Sequence, residues 1–168
     1  IKELDLSLAS DRQTLEELLD TESFLNWLAV NAYFGTADLY GEIYFYQIGE
    51  GPWKCAVGDF AYALITASDN SLGRVANQDE AQPSLSETAI LAGKMLKVSE
   101  YRDAFLTKLG ALYQALPVEV MQAAVDTENA RIAAALPAHT ARWADAFAQA
   151  LGDAYSYPAD AQEAALFQ

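Results

Sequence analysis

Two aspartates stand where the chain could bring carboxylates together. Asp38 ends the run Gly35-Thr36-Ala37-Asp38, just after Tyr33-Phe34, and Asp59 lies between Gly58 and Phe60. One acid follows a helix-like segment and the other a strand-like one, with the strands folding back between them. That order lets both acids reach one small volume. Such a pair suits phosphoryl transfer, which needs one carboxylate to orient or deprotonate an acceptor hydroxyl and one to hold Mg2+ on the phosphates. The plainer reading is local: an Asp at a helix-to-strand turn or a hairpin end often does no more than stabilise that turn.

The elements that must position these acids follow from pattern. In 20–35, Phe24, Trp27, Leu28 and Asn31 recur at i, i+3, i+4 and i+7, which predicts a buried helix. Asp20 or Thr21 suits its N-cap and Gly35 the position just past its end. Asp11–Leu19 reads as a shorter helix before it. Residues 42–48 and 53–57 are β-rich and flank Gly49-Glu50-Gly51-Pro52, so they predict a hairpin. The polar stretch 70–83, with Gly73 and Pro83, reads as a loop. Helices are predicted over 84–97, over 99–116 with Ser99 as cap, from Pro117 to about Leu136, from Pro137 to Ala150, and over 160–167. The expected fold class is mainly α with one β-hairpin.

Side chains divide by context. Trp27, Trp53 and Trp143 are expected in the core, Asn31 as a hydrogen-bonded core amide, and Cys55 as a small buried apolar residue. Strand alternation should bury half of the cluster Tyr33, Tyr40, Tyr44 and Tyr46, leaving the rest as a surface for sugar or peptide. His139, near the start of a helix, should be exposed.

Composition sets the outer bounds. The chain has 168 residues, enough for one domain with a sizeable core, and its three Trp, nine Tyr and seven Phe mark a folded protein. A net charge of −14 argues against nucleic acid and against an anionic membrane surface as partner. One cysteine and one histidine exclude an internal disulfide framework and a multi-histidine zinc site. No apolar run approaches the roughly 20 residues of a membrane span.

The run from Leu19 to Gly35, taken with the strand and acid motifs C-terminal to it, resembles the spore-coat-protein-H-like (CotH) kinase family. Gly35-Thr36-Ala37-Asp38 matches the family's Gly-Asn-x-Asp, Tyr44-Phe45-Tyr46 its aromatic strand, Trp53-Lys54 its return strand, and Asp59-Phe60 its Trp-Asp-Phe/Leu-Asp. Glu100-Tyr101-Arg102-Asp103-Ala104-Phe105 and Ala141-Arg142-Trp143 fit its helical tail, so the resemblance spans most of 15–145. It implies an atypical protein-kinase-like C-lobe that uses ATP and Mg2+ to phosphorylate Ser residues of coat or surface proteins, at a bacterial spore coat or cell surface. Asp38 would be the catalytic-loop acid and Asp59 the counterpart of the metal-binding Asp in the kinase Asp-Phe-Gly motif.

Three departures accompany the match. The family's loop Asn falls on Ile43, its Gly-Asn pair is Gly35-Thr36, and its second acid falls on Ala61. Fewer oxygen ligands mean weaker Mg2+. Residues 1–20 offer no Gly-rich phosphate loop and no strand lysine paired with a helix Glu. The chain is therefore expected to be the C-terminal portion of such a domain with its phosphate-clamping lobe upstream, or a degenerate copy. A non-catalytic surface or coat-interaction module on the same scaffold is the rival expectation.

Overall fold

The structure, a computed structural model, describes residues 3–36, 43–60, 63–64, 70–76 and 86–151, with the backbone alone for 144–151. They belong to two compact units, Ile1–Leu116 and Pro117–Gln168.

The first unit is built around one helix. It contains α1 (Ala9–Leu18), α2 (Thr21–Tyr33), β1 (Tyr44–Tyr46), β2 (Lys54–Ala56), α3 (Ser71–Ala76), α4 (Glu87–Lys97) and α5 (Ser99–Ala115). Phe24, Leu25, Trp27, Leu28, Ala29, Asn31 and Ala32 of α2 are all buried, more than one stripe can account for. A helix apolar on most sides belongs at the centre of a fold, and α2 is indeed packed by α5, β2 and α3. From α5 come Tyr101, Phe105 and Leu109, four residues apart, and from α4 Leu91, Ala92 and Met95. Asn31 donates from Nδ2 to the Trp27 carbonyl at 2.9 Å, so a buried amide is satisfied inside its own helix, as expected.

The hairpin is antiparallel, with Tyr44 opposite Ala56, Phe45 opposite Cys55 and Tyr46 opposite Lys54. It is sewn to the α1–α2 junction. Leu19 and Trp53 form a parallel bridge, Asp20 N–H donates to the Trp53 carbonyl at 2.8 Å, and Trp53 N–H donates to the Leu18 carbonyl at 2.9 Å. Cys55 is buried, as expected, and burial pushes its thiol up to about 12.

The structure corrects several expectations. Part of 70–83 is not loop: Ser71–Ala76 is a helical turn and a half. The Asn70 side chain accepts from Gly73 N–H at 2.8 Å and Val75 is fully buried, so a cap and one apolar anchor hold a segment too short to show periodicity. Ser99 is the first residue of α5 rather than its cap; Val98 takes that position and offers no side-chain bond. Tyr44, Phe45 and Tyr46 are all exposed, so alternation does not divide β1 into a core face and a wet one. Trp53 is 46% exposed rather than core, although its backbone bridges to Leu19.

The second unit holds α6 (Val118–Ile132), with Pro117 at its N-cap, and α7 (Leu136–Leu151), with Pro137 in its first turn. His139 is exposed, as expected. Trp143 is exposed rather than core, with the Arg142 guanidinium 5.0 Å from its ring centroid. Residues 160–167 and Tyr40 lie outside the described residues. Among the described residues no helix is long and apolar enough to cross a membrane. Among the described residues the fold is thus mainly helical with one two-stranded antiparallel hairpin.

Candidate functional site

The exit of α2 is fixed locally. Asp20 starts the helix by accepting from Ser23 N–H at 2.9 Å. At the other end Gly35 N–H donates to the Ala32 carbonyl and Thr36 N–H to the Asn31 carbonyl, at 3.3 and 3.1 Å. This is a Schellman pair, and Gly35 has the φ of +59° that it requires. Thr36 is buried. Hence the backbone that leads on toward Asp38 leaves the helix by a defined turn. Asp38 itself lies outside the described residues.

The segment carrying Asp59 returns to that same exit. Gly58 lies under the Tyr44 ring, where a Cβ would come within 3.3 Å of Cε2. Asp59 has φ +46°, a left-handed conformation that Asp tolerates better than most residues. Its side chain is exposed. The Phe60 ring then meets Phe34, the C-cap residue of α2, edge-on at 5.3 Å between centroids. Leu64 N–H donates to the Phe34 carbonyl at 2.9 Å.

A helix seals the arrangement. Ser71 Oγ donates to the Ala32 carbonyl at 2.6 Å and Arg74 Nη2 to the Thr36 carbonyl at 3.2 Å. The carbonyl end of α2 carries partial negative charge, so a cation there is favourable. Sequence pattern does not single out Arg74, whose acceptor lies 38 positions away along the chain and is brought near only by folding. At the opposite end of α2, Lys54 pairs with Asp20 at 2.9 Å. That hydrogen bond, with the one from Ser23 N–H, holds the Asp20 carboxyl below the usual carboxylate range.

The structure therefore brings Asp59 to the end of α2, the helix that precedes Asp38 in sequence. Among the described residues no group of three or more His, Cys, Asp or Glu could hold a metal ion. Ile43, where the family pattern has its Asn, packs its side chain against the core. Mg2+ is held by carboxylates and further oxygens in near-octahedral array, and among the described residues Asp59 by itself supplies too few of them. A hollow of about 560 Å3 lies elsewhere, between the Leu4–Ser7 segment and the α4–α5 junction, and its lining includes Arg12, Lys94 and Glu100.

No curated protein and no solved structure matches the chain. A family model described as CotH kinase protein matches residues 5–163. That span runs from before α1 to beyond α7 and contains Asp38, Asp59 and the whole α2 exit, so the chain belongs to the CotH kinase protein family.

Proposed function

We propose that this chain is a kinase-like C-lobe domain, the C-terminal portion of a CotH kinase domain, in which Asp38 and Asp59 occupy the ancestral phosphoryl-transfer positions. Asp38 is assigned the acid that faces an acceptor hydroxyl and Asp59 the metal position. The observation that carries this reading is the return of the Asp59 turn to the exit of α2, through the Phe34–Phe60 contact and the Leu64 N–H to Phe34 carbonyl bond. By family, ATP with Mg2+ is the cosubstrate and a coat or cell-surface protein the acceptor. Ile43 and Ala61 remove two oxygen ligands, so the nucleotide site is degenerate and phosphoryl transfer is largely lost. The rest of the molecule then serves as a scaffold for that protein partner.

Calorimetric titration with Mg–ATP tests this, on the chain and on Asp59→Ala. The expected dissociation constant is about a millimolar or weaker. Micromolar binding that Asp59→Ala abolishes would overturn the degenerate reading and restore a live kinase site.

The hairpin favours a non-catalytic interaction module as the second reading. Tyr44, Phe45, Tyr46 and Trp53 are all exposed on a short two-stranded element. Clustered exposed aromatics of this kind mark contact surfaces. Replacing Phe45 and Trp53 by Ser should abolish incorporation of the labelled protein into a coat or surface layer while leaving its circular dichroism unchanged. Undiminished incorporation would exclude the hairpin as the contact.

A further inference from the structure

We propose that α3 is a latch for the Asp59 turn, with Arg74 and Ser71 as positioning residues that act through the exit of α2. The inference deepens the reading of Asp59 as the metal position and rests on it for its functional meaning. Its physical content stands on hydrogen bonds alone.

Three connections reach the exit of α2 from the chain beyond Asp59. Leu64 N–H holds the Phe34 carbonyl, Ser71 Oγ the Ala32 carbonyl, and Arg74 Nη2 the Thr36 carbonyl. The last carbonyls of a helix have no partner within it. Donors distant in sequence reach the carbonyls of Ala32, which Gly35 N–H also engages, and of Phe34, and a third holds Thr36 just beyond. Two of these donors lie on α3. Val75, between Arg74 and the end of α3, is fully buried and anchors the short helix to the core. Phe34 is the joint. Its carbonyl and its ring both engage the Asp59 segment, while the residues two before and two after it are gripped by α3. Asp59 sits next to Phe60 in a left-handed conformation, with the Phe34 contacts just beyond it. The grip at Ala32 and Thr36 keeps the Phe34 carbonyl and ring where that turn needs them. Losing it frees the α2 exit and the Asp59 turn together.

The test is amide hydrogen exchange followed by NMR on the full chain and on Arg74→Met, Arg74→Lys and Ser71→Ala. The Leu64 amide is the direct reporter, because its acceptor is Phe34, and the amides of Phe105 and Leu109 in α5 serve as the reference. Arg74→Met should speed exchange at Leu64 and at Thr36 by about tenfold, the loss expected for one charged hydrogen bond. Phe105 and Leu109 should be unaffected. Arg74→Lys, which keeps a cationic donor, should restore most of the protection. Faster exchange confined to α3, with Leu64 unchanged, overturns the latch. Should Arg74→Met lose its fold, Ser71→Ala decides: it must raise Leu64 and Gly35 exchange together, and no change at Leu64 overturns the proposal. Exchange needs no nucleotide, so it separates the two readings. Coupled exchange together with Mg–ATP binding that Asp59→Ala leaves unchanged keeps the latch and removes the metal position of Asp59; uncoupled exchange together with binding that Asp59→Ala weakens does the reverse.

Discussion

The ring of Phe34 meets the ring of Phe60 at 5.3 Å and 61°, while the Phe34 carbonyl accepts from Leu64 N–H, so one residue holds the chain at two points just beyond Asp59. An edge-on aromatic pair contributes about 1 kcal/mol beyond its area. Phe34 is half-buried, so Phe34→Ala should cost about 2 kcal/mol in urea unfolding, below the range for a fully buried Phe. Phe34→Leu, which keeps the carbonyl and much of the apolar area, should recover over half of that.

Asp20 does two jobs that substitution can separate. It caps α2 through Ser23 N–H and pairs with Lys54. Asp20→Ala should destabilise by about 1–2 kcal/mol through the lost cap. Asp20→Asn keeps a cap acceptor and should cost less.

The same carboxyl predicts a pH effect. Its native pKa is lowered from 3.8, first by the Lys54 hydrogen bond and then by Ser23 N–H. A depressed acid contributes stability that is present above the unfolded value and lost as pH falls through the native one. Stability should therefore fall with acidification below about pH 4, and the slope should be shallower in Asp20→Asn. Equal slopes in the two proteins would remove Asp20 from the acid limb.

Cys55 should be nearly inert. Burial raises its thiol to about 12, against a smaller lowering by a hydrogen bond with Ser23. At pH 8 its alkylation should run roughly a thousandfold slower than that of a free thiol, since the thiolate is the reactive form. Reaction at the free-thiol rate under native conditions would contradict the burial.

Tyr101 ties α5 to α1, its hydroxyl donating to Glu16 Oε1 at 2.8 Å. Burial and that carboxylate hold the phenol well above its ordinary value. Tyr101→Phe should cost about 1 kcal/mol, the net worth of one such bond, measured by thermal unfolding.

How legible an element is in sequence depends on where it gets its stability. The α2 helix is legible at both ends because Asp20 and Gly35 act on neighbouring backbone. The α3 helix is not, since its grip is tertiary: Ser71 on Ala32, Arg74 on Thr36, Val75 in the core. Trp53 departs from expectation: its backbone bridges to Leu19 while its side chain stays exposed on the short hairpin. The aromatic alternation of β1 fails for a related reason. A period of two predicts a buried face only where another layer covers the sheet. Of the two acids, Asp59 lies just beyond the return strand, where the hairpin pattern puts it, and Asp38 lies outside the described residues.

The bridge between Leu19 and Trp53 bears on the order in which the chain assembles. An isolated two-stranded hairpin is marginal in water, and this one borrows backbone partners from the α1–α2 junction far earlier in sequence. Closing that loop has an entropic cost before the contact stabilises anything. The hairpin is therefore expected to dock late, after the α1–α2 junction that supplies its outside partners has formed. Destabilising changes in the hairpin should appear almost wholly in the unfolding rate, those in α2 in the folding rate.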